Sequence, residues 1–293
     1  MRNRTIFRTL CLVLLFTGCQ ASHNLTRVAI GSARVAREAQ FTAEQVQLAG
    51  RNCFKGMPAK TSDALGPSEY VFREGYVLEH SSVDKIPLWV CENVTAAQLE
   101  GNAERASGFK TDPALKGPHS TPGDYVRSGY DTGHQAPAGN QKRDQHLQDE
   151  TFYMSNMAPQ VPTLNRNSWK ALEEKTRVWA KQFGQAYELT GPVFFDPKED
   201  SPQTATGTLE TKVIGKDAVA VPTFFYKIVV VKDGNKWKSI AFVLPNVKYK
   251  PPYHLEQYIQ SIRWIEQHTG LNFMPDLTAQ ESQDLEGHAS PMW

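Results

Sequence analysis

Two β-rich runs, Phe224 to Val231 and Trp237 to Leu244, flank the dipeptide Asp233-Gly234. An Asp-Gly pair between such runs predicts a tight antiparallel hairpin, because glycine supplies the positive φ that the turn needs. Shorter strand-like runs at residues 76–80, 88–91 and 189–195 add partners for it. Trp169, Leu172, Thr176, Trp179, Ala180 and Phe183 recur at three- and four-residue steps. That spacing predicts a helix over 167–184 with one buried stripe, capped by Asn167 or Ser168 and ended by Gly184. Thr95 and Gln98 have capping-box spacing, so a short helix is expected to start there. A further helix is expected over 255–268, with Leu255, Tyr258, Ile259, Ile262 and Ile265 inward and Gly270 as its stop. Strands and helices mix without regular β-α-β alternation, which predicts an α+β fold.

The amino terminus obeys different rules. Arg2, Arg4 and Arg8 precede the seven-residue apolar run Leu10 to Phe16, and Thr17-Gly18-Cys19 follows. Spanning a bilayer takes roughly 20 apolar residues, so this run reads as a secretory signal peptide. Cys19 after small residues predicts lipidation, hence a periplasmic or exterior protein and an outer-membrane lipoprotein; ordinary cleavage nearby, with a freely secreted product, is the alternative. The organisation expected is a leader over 1–19, a tether or amino-terminal extension over 20–55, one domain over 56–280 and a frayed polar tail over 281–293.

The charge balance, 32 Lys+Arg against 31 Asp+Glu, argues against binding to any polyanion by bulk charge. Loss of residues 1–18 removes three arginines and no acid, leaving −2. Of four cysteines, Cys11 and Cys19 fall in the leader. In an oxidising compartment the remaining two, Cys53 and Cys91, are expected to pair. There is no His-Glu-x-x-His, no Cys-x-x-Cys, no Walker loop and no Gly-x-Ser-x-Gly elbow, and no two histidines stand at metal-ligand spacing. Zinc is thereby disfavoured, whereas a hard cation that keeps most of its waters remains open.

Three motifs survive this search: Asp131-Thr132-Gly133-His134-Gln135-Ala136-Pro137; Ser155-Asn156-Met157-Ala158-Pro159-Gln160; and Leu164-Asn165 through Trp169, Leu172-Glu173 and Arg177. Together they resemble the DNA/RNA non-specific endonucleases of the ββα-metal superfamily. Flanking matches such as Arg105-x-x-x-Phe109, Thr190-Gly191-Pro192 and Pro222 to Lys227 extend the resemblance over about 60–277. It implies a ββα-metal core within the α+β fold, sequence-independent hydrolysis of DNA and RNA to 5′-phosphate ends, and a Mg²⁺ cofactor, with Mn²⁺ as substitute. A homodimer is compatible with it, and membrane contact would come only through a lipid on Cys19.

The chemistry suits these residue types. A water attacking phosphorus must lose a proton, which neutral imidazole accepts near neutral pH. The resemblance gives that role to His134, although a lone histidine is by default a core or surface residue. It makes Asn165 the direct protein ligand of the cation, where the plain alternative is a helix-capping asparagine. It has Glu173 orienting the ion's water and Arg177 near the phosphate, against an exposed pair worth a few tenths of a kcal/mol. Arg105 would clamp the scissile phosphate, and Asn156 and Gln160 would brace the site.

One departure stands out. The motif's second residue is arginine in the family and Thr132 here, so a phosphate-facing cation is missing. Arg127 or Lys142 is the expected substitute for it. The rival reading is a nuclease-like domain that binds nucleic acid with impaired or no catalysis; a third is a phosphodiesterase on small substrates.

Overall fold

The computed structural model describes residues 2–5, 39–196, 208–251 and 253–293, with backbone alone for 2–5 and 208–210. The main elements are α1 (Ala43–Asn52), β1 (Ser68–Phe72), β2 (Val77–Ser81), β3 (Pro87–Thr95), β4 (Asp131–His134), α2 (Gln145–Glu150), β5 (Met157–Gln160), α3 (Lys170–Phe183), β6 (Gln185–Val193), β7 (Phe224–Asp233), β8 (Lys236–Pro245), β9 (Ile259–Gln260), α4 (Ile262–Thr269) and α5 (Ala279–Glu286).

Seven of the strands form one antiparallel sheet in the order β9-β8-β7-β6-β3-β2-β1. The hairpin expected at Asp233-Gly234 joins β7 and β8 within it: Asp233 faces Lys236, and Gly234 takes φ 59°. Side chains alternate across a strand, so the sheet divides two cores. Trp89, Cys91, Leu189, Tyr226, Ile228 and Val230 face Ala49 of α1, Ile262 and Ile265 of α4 and Leu285 of α5. On the other side Phe225, Val229, Val231, Ile240 and Phe242 meet Trp169, Leu172, Trp179 and Ala180. Each such large side chain contributes about 1.5–3 kcal/mol when fully buried. Cys53, at the end of α1, is disulfide-bonded to Cys91 of β3 with Cα atoms 5.3 Å apart, which fastens α1 to the sheet.

The second core is covered by a ββα unit. β4 and β5 pair antiparallel, His134 opposite Met157 and Gly133 opposite Ala158. Only glycine fits at 133, since a Cβ there would lie 2.2 Å from Oε1 of Gln160. After β5 the chain enters a wide π-helical stretch, Leu164–Trp169, that runs into α3. Gly184, at φ 83°, ends α3.

Four sequence expectations need correction or placement. The helix begins at Leu164 rather than 167, and neither Asn167 nor Ser168 caps it, because Trp169 must turn inward over β7. The helix expected over 255–268 is broken: a 3-10 turn, Leu255–Tyr258, and β9 precede α4, which Ser261 caps. Leu255, Tyr258 and Ile259 consequently pack on one core and Ile262 and Ile265 on the other. The end of the chain is not a frayed tail: Thr278 caps α5 with a capping box, Leu285 is buried, and Trp293 packs on Trp179. The leader and lipidation readings fall largely outside the described residues; residues Arg2–Thr5 form a strand paired with Thr208–Thr211.

Candidate active site

β4, the π-helical stretch and the start of α3 enclose a cleft of about 420 Å³. His134, Asn165 and Glu173 line it, with Thr132 and the cations Arg105, Arg166, Lys170 and Arg177 around them. Pro137, Ala138 and Gly139 complete the wall. A Cβ on Gly139 would come 3.1 Å from a nitrogen of Arg177, so the backbone there approaches the guanidinium closely.

His134 ends β4 and is buried between aromatic rings. Its imidazole meets Phe152 edge-on at 4.8 Å and Phe109 at 5.6 Å, and Arg105 lies 4.8 Å over the Phe152 ring. Nε2 is buried with no hydrogen-bond partner. Burial, reinforced by the Arg105 charge, lowers the His134 pKa to about 3. The imidazole is therefore neutral at physiological pH, the form able to accept a proton.

Asn165 is oriented by Asp131. Its Nδ2 donates to Asp131 Oδ2 at 2.9 Å. A carboxylate can only accept, so the amide nitrogen must face Asp131, and the oxygen stays free for the cleft. The same carboxylate accepts a two-pronged contact from Arg166, Nε to Oδ2 at 2.8 Å and a terminal nitrogen to Oδ1 at 2.7 Å.

Glu173 and Arg177 stand one turn apart on the cleft side of α3. Burial pushes the Glu173 carboxyl up to about 7, against the opposing pull of Lys227 and Arg177. Arg177 donates to Asn140 Oδ1 at 3.3 Å, and Asn140 donates to Glu92 Oε1 at 2.9 Å. Beneath them Lys227 is wholly buried, bonded to Glu188 at 2.7 Å and Thr190 at 2.8 Å, with Trp169 5.6 Å away. Burial and the facing Glu188 drive the Glu92 pKa well above the usual carboxylate range, against the pull of Lys227 and the Asn140 hydrogen bond.

Asn156 lies outside the cleft wall. Fully buried, it accepts from Ala136 N at 2.8 Å and donates to the Ala136 and Thr151 carbonyls at 2.9 Å each. It holds the turn that follows His134. Five of the residues singled out in the sequence (Arg105, His134, Asn165, Glu173 and Arg177) share the cleft. Arg127 does not line it, and Lys142 turns its Nζ to the Ala103 carbonyl at 2.9 Å and lines a neighbouring hollow. That hollow, also about 420 Å³, shares Gly139 and Arg177 with the cleft and adds Leu99, Val178 and Lys181. Arg166 and Lys170 carry no signal in the sequence, because both stand at unpatterned positions of a helix start where cations ordinarily face solvent.

The donor set suits a hard divalent cation. Asn165 offers one neutral oxygen, and no cluster of three or more His, Cys, Asp or Glu able to hold a metal occurs among the described residues. An ion bound here through one protein oxygen would keep most of its water.

Comparison with known proteins agrees with this geometry. Residues 56–280 match the family described as DNA/RNA non-specific endonuclease. Human mitochondrial endonuclease G is 36% identical over 217 residues, covering 73% of this chain and 72% of its own. Nuclease C1 of Cunninghamella echinulata var. echinulata is 37% identical over 224 residues, 74% of this chain and 87% of its own. A chain in the crystal structure of the EndoG/EndoGI complex superposes with TM-score 0.69 at 33% identity, over 76% of this chain and 93% of that one. Matching over that span, with the fold and the motif residues in place, the chain belongs to the DNA/RNA non-specific endonuclease family and is a nuclease.

Proposed function

We propose that this nuclease hydrolyses phosphodiester bonds of DNA and RNA without sequence selection, using a hydrated Mg²⁺ and leaving 5′-phosphate ends. The observation that carries the reading is the shared cleft of a neutral imidazole and a free carboxamide oxygen, His134 and Asn165, ringed by four cations. His134 accepts the proton of the attacking water. Arg105 and Arg177 hold the scissile phosphate by charge-assisted hydrogen bonds, contacts that read backbone and not base. Asn165 would hold the cation through its amide oxygen, with Glu173 bonding to the ion's hydration shell. Bound there, the cation supplies Lewis acidity to the phosphoryl oxygens and eases departure of the 3′-oxygen. The continuation of the cleft past Gly139 towards Lys142 and Lys181 suits a polymer better than a small diester.

The test is plasmid and RNA digestion with Mg²⁺, with Mn²⁺ and with chelator. Cleavage should require the metal and should fall by at least 10²-fold in His134→Ala, the scale of general-base catalysis. Equal inertness of wild type and His134→Ala with both metals would favour the binding-domain alternative.

Export is proposed from the leader alone. Human and bovine endonuclease G are mitochondrial, whereas Arg2, Arg4, Arg8 and the run ending at Cys19 support secretion and lipidation here. Mass spectrometry of the mature amino terminus decides it: an acylated Cys19 is expected, and a chain still starting at Met1 would refute export.

A further inference from the structure

Thr132 lines the cleft without a charge, yet the wall beside it is not neutral. Its predecessor Asp131 grips Arg166 through both carboxylate oxygens, at 2.8 and 2.7 Å. A guanidinium has five N–H donors, and this grip engages Nε and one hydrogen of a terminal nitrogen. The remaining donors point away from Asp131, on a side chain 68% exposed that lines the cleft. Lys170, one turn further along the helix, lines the same wall, and its nearest acid, Glu174, is 3.8 Å away. Asp131 also fixes Asn165, so one carboxylate sets both the amide oxygen offered to the cation and the guanidinium beside it. Such pre-orientation lowers the ordering cost that a free arginine would meet on binding.

We infer that Arg166, held by Asp131 and supported by Lys170, forms a phosphate-binding subsite on the Thr132 side of the cleft, for a phosphodiester of the substrate strand. The positive charge absent at position 132 is delivered from the opposite element, the π-helical stretch. This rests on the nuclease reading above. Arg127 and Lys142 are ruled out of the role because neither belongs to the cleft wall.

An exchange of the arginine tests it. Arg166→Gln and Arg166→Gln with Thr132→Arg are compared with wild type, and the same two changes in a His134→Ala background are compared with His134→Ala alone. Cleavage of a long oligonucleotide with Mg²⁺ gives kcat/KM. Fluorescence anisotropy of a labelled oligonucleotide on the His134→Ala proteins gives affinity and its salt slope, independent of turnover. Arg166→Gln should lower both kcat/KM and affinity by about 10- to 100-fold, the range for a lost hydrogen bond to a charged group. Its log–log salt slope should shrink by about 0.7–0.9, one phosphate contact. Thr132→Arg in that background should recover most of both. A loss below twofold overturns the subsite. So does a loss with unchanged salt slope that Thr132→Arg fails to recover, which would make Arg166 only a prop for Asp131 and Asn165. Thermal melting of each variant separates binding loss from unfolding, and the exposed position of Arg166 predicts unchanged melting. If wild type binds with an Arg166-dependent slope but never cleaves, the nuclease reading fails while the subsite stands.

Discussion

A pKa near 3 is poorly matched to the role proposed for His134 at neutral pH, since proton transfer is most effective when the two are close. His134 holds that value without substrate because burial and the Arg105 charge both oppose imidazolium. A phosphate in the cleft reverses the local field: its negative charge engages Arg105 and favours the protonated ring. Two pH profiles should therefore separate. The acid limb of kcat/KM, which reports the free enzyme, should fall well below pH 6.5, and the limb of kcat should lie at higher pH. Coincident limbs at 6.5 would contradict this account. Glu173 gives a second expectation. With its carboxyl at about 7, the charged form grows as pH rises through neutrality. Divalent-cation affinity should strengthen over that interval, and Glu173→Gln should flatten the dependence in a calorimetric titration. His134, Asn165 and Glu173 were readable in the sequence because they sit in spaced motifs. Arg166 was not, since nothing in a linear pattern shows that Asp131, thirty-odd positions earlier, would turn its guanidinium into the cleft.

At the level of elements, the ββα unit depends on contacts too close for ordinary side chains. Gly133→Ala would drive a Cβ into Gln160, displacing β5 relative to β4 and moving His134. Activity should drop more than stability, and adding Gln160→Ala should restore part of it; activity unchanged by Gly133→Ala would refute the packing argument. The staple between α1 and β3 behaves in the opposite way. It closes a separation of 38 residues, which corresponds to about 4 kcal/mol in the loop-entropy account. Cys53→Ser with Cys91→Ser should lower stability by a few kcal/mol in denaturant titration and leave kcat within a factor of about two, because the site lies across the sheet. The hairpin and the stripe of α3 were legible because period and turn residues agree. The break at Ser261 was not, because Leu255 through Ile265 keep a helical period while serving two different cores. The carboxy-terminal helix was hidden by its polar composition, which conceals one inward Leu285 and the packing of Trp293.

Over the whole molecule, near-neutral charge sets how the substrate is held. Four cations concentrated in one cleft, rather than a basic surface, predict a modest salt slope of about −3.6 for duplex DNA. A slope near zero would remove the phosphate contacts from the account. Acid stability follows from burial of neutral imidazoles: His80 and His134 both have pKa values of about 3 in the fold. Below about 6.5 the unfolded chain takes up protons that the fold refuses. Stability should therefore decline as pH falls from 6.5 towards 3, and His80→Gln should soften the decline in a melting series. The α+β class was readable from strands and helices in mixed order. The buried Glu92, Glu188 and Lys227 were not, because charged residues within a strand ordinarily mark its wet side.

The partition of the molecule by its sheet has a directional consequence. α1, which leads in from the amino terminus, and the cleft occupy opposite faces. Whatever engages α1 from outside therefore leaves the cleft on the far face open to a polymer.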